Sequence, residues 1–349
     1  MNESKNKGYL YALVAACLFG ASTPAAKPLL QQTSPWLLAG LLYFGSGIGL
    51  GLISFLRLKK EASLRGKDWY WISGAVLFGG ILAPLLLMTG LSKTNAGAAS
   101  LFLNFEAVFT AVVSWYFFKE HFDRRIFIGM LFILCGGFIL SWTKTPTLEN
   151  SLGPFLIALA CLGWAIDNNL TRKISASDPL QIATIKSLLA GSTNILLAFF
   201  FVQDGHFPAI KWLLTAGVIG FFGYGVSLLC FILALRHIGT SRTGAYFSLT
   251  PFVGALLSLL FLHEPISYQF ILASLFMGIG LWLHLTENHS HEHTHEILEH
   301  EHQHIHDEHH QHAHSPNDPL GEPHSHKHRH EVMTHTHRHY PDIHHRHSH

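Results

Sequence analysis

The chain has 349 residues, of which 49% are apolar and only 13% charged, and its mean hydropathy is +0.27. A soluble domain carries about 25% charged residues. Here residues 1–287 hold 19 Lys and Arg and 12 Asp and Glu, whereas residues 288–349 hold 4 and 10 and also 23 of the 28 histidines, which excludes one soluble globular domain and divides the chain into an apolar body and a polar tail.

A bilayer core about 30 Å thick demands about 20 apolar residues per helical span. Ten stretches meet that demand, in chain order 9–30, 35–56, 69–90, 95–118, 124–142, 153–172, 179–202, 210–235, 243–262 and 266–285. The first is read as a retained span, because no small-residue cleavage site follows it. Short connections with turn chemistry separate the spans, such as Thr33-Ser34-Pro35 and Ser177-Asp178-Pro179. Pro24, Pro28 and Pro84 remove backbone donors inside spans, and Gly45, Gly47, Gly49 and Gly51 give overlapping GxxxG spacings that suit close helix packing. Cys17, Cys135, Cys161 and Cys230 all lie in apolar runs and form no CxxC pair, so no disulfide framework is expected. Lys and Arg gather on one side of this arrangement, among them Arg57, Arg124, Arg172 and Arg236, while the other side holds Lys27, Lys93, Lys144 and Lys211. That asymmetry predicts an inner (plasma) membrane protein with both termini cytoplasmic.

The chain repeats itself at an offset of 144 residues. Ala16-Cys17-Leu18 falls on Ala160-Cys161-Leu162, Pro35 on Pro179, Gly79 on Gly223, Leu91 on Leu235, Ser114 on Ser258 and Glu120 on Glu264. Five spans per unit is an odd number, so the second unit starts on the opposite side of the membrane. The fold expected is therefore an all-α membrane protein, ten transmembrane helices as two inverted five-helix repeats, plus a disordered tail. Its divisions are 1–8, 9–142, a linker at 143–152, 153–285 and the tail at 286–349. Inverted repeats suit alternating access to a site between the halves.

Several stretches are similar to the EamA-type branch of the drug/metabolite transporter superfamily. They are Leu18-Phe19-Gly20-Ala21-Ser22-Thr23-Pro24, the junction Gly90 to Ser100, Phe105-Glu106-Ala107 and Phe118-Lys119-Glu120, with Thr250-Pro251-Phe252 and Leu262-His263-Glu264 in the second copy. The resemblance covers about residues 9–285 and implies ten helices in two repeats and secondary transport of small solutes. Where the family commonly has Pro this chain has Ala107, while the second copy keeps Pro251.

An ionisable side chain at the middle of a span costs about 2.5–3.5 kcal/mol on insertion scales and calls for a partner or a function. Glu106 lies near the middle of the fourth span, where a carboxylate could titrate, bind an amine or pair with a neighbouring helix. Asp167 in the sixth span and Lys186 in the seventh lie at similar depths, so they could form a structural pair or a gate. Asn168 and Asn169 follow, and Trp164 could line a cavity or pack in the interior. Lys27, Lys93 and His237 sit near helix ends, where snorkelling is expected. No catalytic constellation is visible, so no enzyme activity, required cofactor or nucleic-acid partner is expected.

The tail carries histidine at every second position: His289, His291, His293 and His295, then His300, His302, His304 and His306, then His324, His326, His328 and His330, then His335, His337 and His339. Imidazoles without cysteine suit Ni²⁺, Zn²⁺, Co²⁺ or Cu²⁺. The composition builds no apolar core, so the tail is expected to be disordered without metal. Three readings follow: a solute transporter, in the exporting direction, whose tail regulates or feeds transport; a transition-metal exporter; and a membrane-anchored metal sensor or buffer.

Overall fold

In the computed structural model the described residues are 2–57, 64, 66, 68–118, 124–142, 148–174, 177–201, 208–285, 290–295, 298–304, 324–330 and 333–338. The membrane body is helical throughout. In the first half α1 (Asn2–Ala26) leads through a 3₁₀ turn (Pro28–Gln31) to α2 (Pro35–Leu56). The third span is α3 (Asp68–Ala75), a π-helical turn (Val76–Leu82) and α4 (Ala83–Ser92). The fourth span is broken into α5 (Ala96–Phe102) and α6 (Phe105–Phe118), and the fifth is α7 (Arg124–Ser141). The second half runs α8 (Leu148–Ile174), α9 (Pro179–Phe201), α10 (Ile210–Gly220), a π-helical turn (Phe221–Val226), α11 (Ser227–Phe247), α12 (Thr250–Phe261) and α13 (Tyr268–Leu285).

Eight of the ten expected spans are long and apolar enough to cross a bilayer, and the last two are present as the shorter apolar helices Thr250–Phe261 and Tyr268–Leu283. The ninth span is shortened because its first part belongs to α11. The rings of Phe231 and Phe247 are 4.8 Å apart, whereas 16 residues of straight helix would separate them by roughly 24 Å. The chain therefore reverses within α11, and its second limb opens the ninth span.

The two halves obey the 144-residue offset in structure as well as in sequence. Pro35 and Pro179 both open helices, as do Arg124 and Tyr268, and the two π-helical turns occupy corresponding places. Counterparts pack on each other, α2 on α9 and α7 on α13. The remaining contacts exchange between halves: α8 lies on α3 and α4, while α1 lies on α11 and the second π-turn. Such an exchange, with an odd number of spans per half, is the inverted two-fold arrangement.

Small residues permit the closest of these contacts. A Cβ on Gly47 would stand 2.8 Å from the Leu188 amide nitrogen, and the Ser46 and Ser187 hydroxyls bond at 3.2 Å across the same α2–α9 seam. The main buried cluster joins both halves, with Leu38, Leu42, Leu87 and Phe102 from the first and Ile157, Cys161 and Trp164 from the second. Outward faces are apolar, including Phe55, Phe200, Phe261 and Trp282, as a lipid-facing surface requires.

One expectation, that for Lys27, needs correction. Lys27 does not snorkel outward but binds backbone carbonyls, as described below. Pro24 does not interrupt α1, and the helix instead tightens into its 3₁₀ turn at Pro28, a position where the missing N–H costs no helical bond. The described part of the tail is extended. Its backbone forms β1 (Ser290–His295), β2 (Leu298–His304), β3 (His324–His330) and β4 (Met333–Arg338), paired antiparallel as β1–β4 and β2–β3. Alternation of histidine with other residues has the two-residue period of a strand, and pairing satisfies the backbone where no apolar core exists. His289, His306, His339, Glu120 and linker residues 143–147 lie outside the described residues, as does the side chain of His237.

Candidate functional site

The first π-turn is the centre of the site. Its wider winding is joined by Pro84, which has no N–H to offer the carbonyl four or five residues earlier, that of Gly80 or Gly79. Side chains from three other helices take over. The Tyr43 hydroxyl of α2 and the Trp164 indole N–H of α8 both donate to the Gly79 carbonyl at 3.0 Å, and the Asn194 amide of α9 donates to the Gly80 carbonyl at 3.1 Å. No side chain fits on either glycine, since a Cβ at Gly79 would overlap the Asp167 carboxylate and one at Gly80 would meet the Ala190 Cβ at 2.6 Å.

Asp167 therefore rests against the π-turn, one helical turn beyond Trp164 on α8. One of its oxygens forms an ion pair with Lys186 of α9, and the other accepts the Thr171 hydroxyl at 3.0 Å. The pair is the one the depths of the two residues in the sequence predict. Both partners belong to the second half, and they fill the seam that the third span of the first half covers.

Glu106 opens α6 directly after the break at Leu103–Asn104. Asn104 is buried and turns its amide onto the Leu101 carbonyl at 2.9 Å, which ends α5 and starts the new helix. The Glu106 carboxylate accepts the Asn168 amide of α8 at 2.8 Å. Asn168 is exposed and Glu106 partly so, while Asp167 is 3% and Trp164 6% exposed. Accessibility thus separates the candidates. Glu106 and Asn168 form a polar contact that is only partly buried, whereas Asp167 and Trp164 are buried and Lys186 is half-buried against Asp167. Among the described residues Glu106 has no ion-pair partner, because Asp167 already holds the nearby lysine.

Of the five residues singled out for this site, Trp164, Asp167 and Lys186 lie against the first π-turn, and Glu106 and Asn168 bond each other beside them, Asn168 following Asp167 on α8. Asn169 instead bonds the Ala165 carbonyl of its own helix. Tyr43, Gly79, Gly80 and Asn194 are members that sequence reasoning missed. Gly79 carried the available signal, since it coincides with Gly223 in the repeat and both fall in π-turns. Away from this centre, Arg57 at the end of α2 bonds both oxygens of Asp178 at 3.2 Å, and Asp178 also accepts the Leu180 amide at 3.0 Å. At the opposite end of the bundle, Lys27 and Glu264 hold the junction between α4 and α5. Among the described residues no three His, Cys, Asp or Glu side chains gather as a metal site.

The EamA-like transporter family matches residues 6–142 and again residues 151–286. An uncharacterized transporter of Methanothermobacter thermautotrophicus is 27% identical over 293 residues, 79% of this chain and 85% of its own length. The uncharacterized transporter YvbV of Bacillus subtilis is 24% identical, covering 75% of this chain and 86% of its own. The uncharacterized transporter sll0355 of Synechocystis is 27% identical, covering 72% and 81%. A protein of known crystal structure superposes with a TM-score of 0.58 at 17% identity, over 79% of this chain and 95% of that one, which is a likeness of fold.

Proposed function

The chain belongs to the EamA-like transporter family, and on that premise we propose that it is a secondary transporter that exports a small solute by alternating access, with Glu106 coupling transport to protons. The observation that carries this reading is the Glu106–Asn168 contact at 2.8 Å, a partly exposed carboxylate bonded to a neutral amide between a helix of one half and a helix of the other. A neutral partner lets the carboxyl gain and lose a proton without breaking an ion pair, and a solute amine or polar group competes for the same oxygen. The Arg57 end, rich in Lys and Arg, is cytoplasmic in this reading, so both termini face the cytoplasm of an inner-membrane protein. Flux of a panel of amines, amino acids and organic acids, and of Ni²⁺, Co²⁺ and Zn²⁺, into proteoliposomes tests it. The reading expects one organic class to move under a pH gradient, and movement of metal alone would replace it with a metal exporter.

The metal in this proposal belongs to the tail. The register sets His291 opposite His337 and His293 opposite His335, and likewise His300 opposite His328 and His302 opposite His326. Residues two apart on one strand and their opposites share a ladder face, roughly 5 Å apart across the pair. The alternation supports this reading, with histidine at five positions of one phase on β1 and β4 and at seven on β2 and β3, a nitrogen-rich composition for Ni²⁺, Zn²⁺, Co²⁺ or Cu²⁺. A two-stranded ribbon is marginal in water, so a bound ion would stabilise it and let the tail regulate or feed transport. Calorimetric titration of full-length protein with Ni²⁺, against protein ending at residue 287, tests this. Equal binding by both would refute it.

A further inference from the structure

The break between α4 and α5 leaves orphan carbonyls at the end of one helix and orphan amides at the start of the next. Two charged side chains from distant parts of the chain satisfy them. Lys27, at the end of the first span, donates to the Leu91 carbonyl at 2.5 Å and the Thr94 carbonyl at 2.7 Å. Glu264, in the loop before the last helix of the second half, accepts the Ala96 amide at 2.6 Å and the Gly97 amide at 2.8 Å. Each charge has the sign that its helix end favours. The two also act on each other through space.

Two local features accompany this contact. His263 has φ 51, an uncommon conformation for a non-glycine residue, and it turns the chain out of α12 so that Glu264 points back across the repeat boundary. Gly97 lacks the Cβ that would stand 3.0 Å from the Glu264 carboxylate and 3.1 Å from the Phe270 ring. The link is made of hydrogen bonds that separate cleanly, unlike interdigitated apolar packing.

We infer that Glu264, assisted by Lys27, is the clasp that closes the Lys27 end of the passage, and that its release from Ala96 and Gly97 opens that end. The inference rests on the alternating-access reading. Glu264 is a positioning residue in it: the side chain touches no solute but sets which way the passage faces. Because two conformations share one population, weakening the clasp must also withdraw the protein from the state open at the other end.

The test uses full-length protein without native cysteines, reconstituted in proteoliposomes and labelled by a membrane-impermeant thiol reagent. A reference cysteine at Tyr268, 93% exposed, identifies the Lys27 side. One probe replaces Ala99, fully buried behind the clasp, and a second replaces Asn168 at the central contact. Glu264→Ala is expected to raise labelling of the Ala99 probe from the Lys27 side about tenfold and to lower labelling of the Asn168 probe from the Arg57 side. Glu264→Gln, which keeps one acceptor, should fall between, and Gly97→Ala should act in the same direction by displacing the carboxylate. Local loosening of a merely structural contact would raise the first signal and leave the second unchanged, and that result overturns the clasp. If the Asn168 probe is reached from one side only in every variant, alternating access itself fails, which is a separate outcome.

Discussion

Asp167 and Lys186 meet between α8 and α9 as an ion pair in which the aspartate side chain is 4% exposed and the lysine 19%. Removing one partner leaves the other charge enclosed without compensation, which typically costs 3–5 kcal/mol. Asp167→Ala and Lys186→Ala are therefore expected to lower the unfolding temperature in detergent sharply. The reversed pair, Asp167→Lys with Lys186→Asp, should recover part of the loss, and no recovery would argue against direct pairing.

The π-turn depends on glycine where Asp167 lies against it. Gly79→Ala forces a Cβ into the aspartate carboxylate, an overpacking change expected to cost about 1–3 kcal/mol. Its repeat counterpart, Gly223→Ala, meets the Ser22 Cβ at 2.6 Å and is expected to destabilise as well. Thermal unfolding of both variants beside Gly66→Ala, which meets nothing within 4 Å, measures the contrast.

Tyr43 and Trp164 share one acceptor, the Gly79 carbonyl. Tyr43→Phe or Trp164→Phe alone leaves the other donor in place, so each should cost about 0.5–1.5 kcal/mol. The double variant leaves a buried carbonyl with neither donor, and its loss should exceed the sum of the two singles. Strict additivity in a double-mutant cycle would show that the two bonds are independent.

Protein ending at residue 287 retains both repeats. It is expected to keep solute flux and lose Ni²⁺ and Zn²⁺ binding. Within the full chain, His293→Ala with His335→Ala, directly opposite in register, should remove more bound metal than His312→Ala with His314→Ala, which lie outside the described residues. Equal losses from the two pairs would contradict a register-defined site.

Much of the architecture was legible in the sequence because lipid imposes it. Apolar length sets each span, and the coincidence of Pro35 with Pro179 and Gly79 with Gly223 exposes the duplication. The Asp167–Lys186 pair follows from helix rise alone. The π-turns were not legible, since an i→i+5 bond has no composition of its own, and neither were Tyr43 and Asn194, which read as ordinary interior residues until the freed carbonyls of Gly79 and Gly80 appear beside them. Lys27 resembled an interfacial anchor because its acceptors are backbone atoms more than 60 residues away. The tail's composition reads as disorder, and the pairing of β1 with β4 and of β2 with β3 is a feature its alternation did not announce.

Glu106→Gln keeps the oxygen that accepts from Asn168, so the fold should persist while the titrating proton is lost. The decisive measurement is the flux of the transported solute in proteoliposomes across a series of imposed pH gradients, native protein beside Glu106→Gln. Native flux should rise with the gradient, and flux through the variant should be independent of it while exchange at equal pH continues. Native flux indifferent to the gradient, or gradient-driven flux of the same size in Glu106→Gln, would contradict the assignment of the coupling proton to this carboxylate.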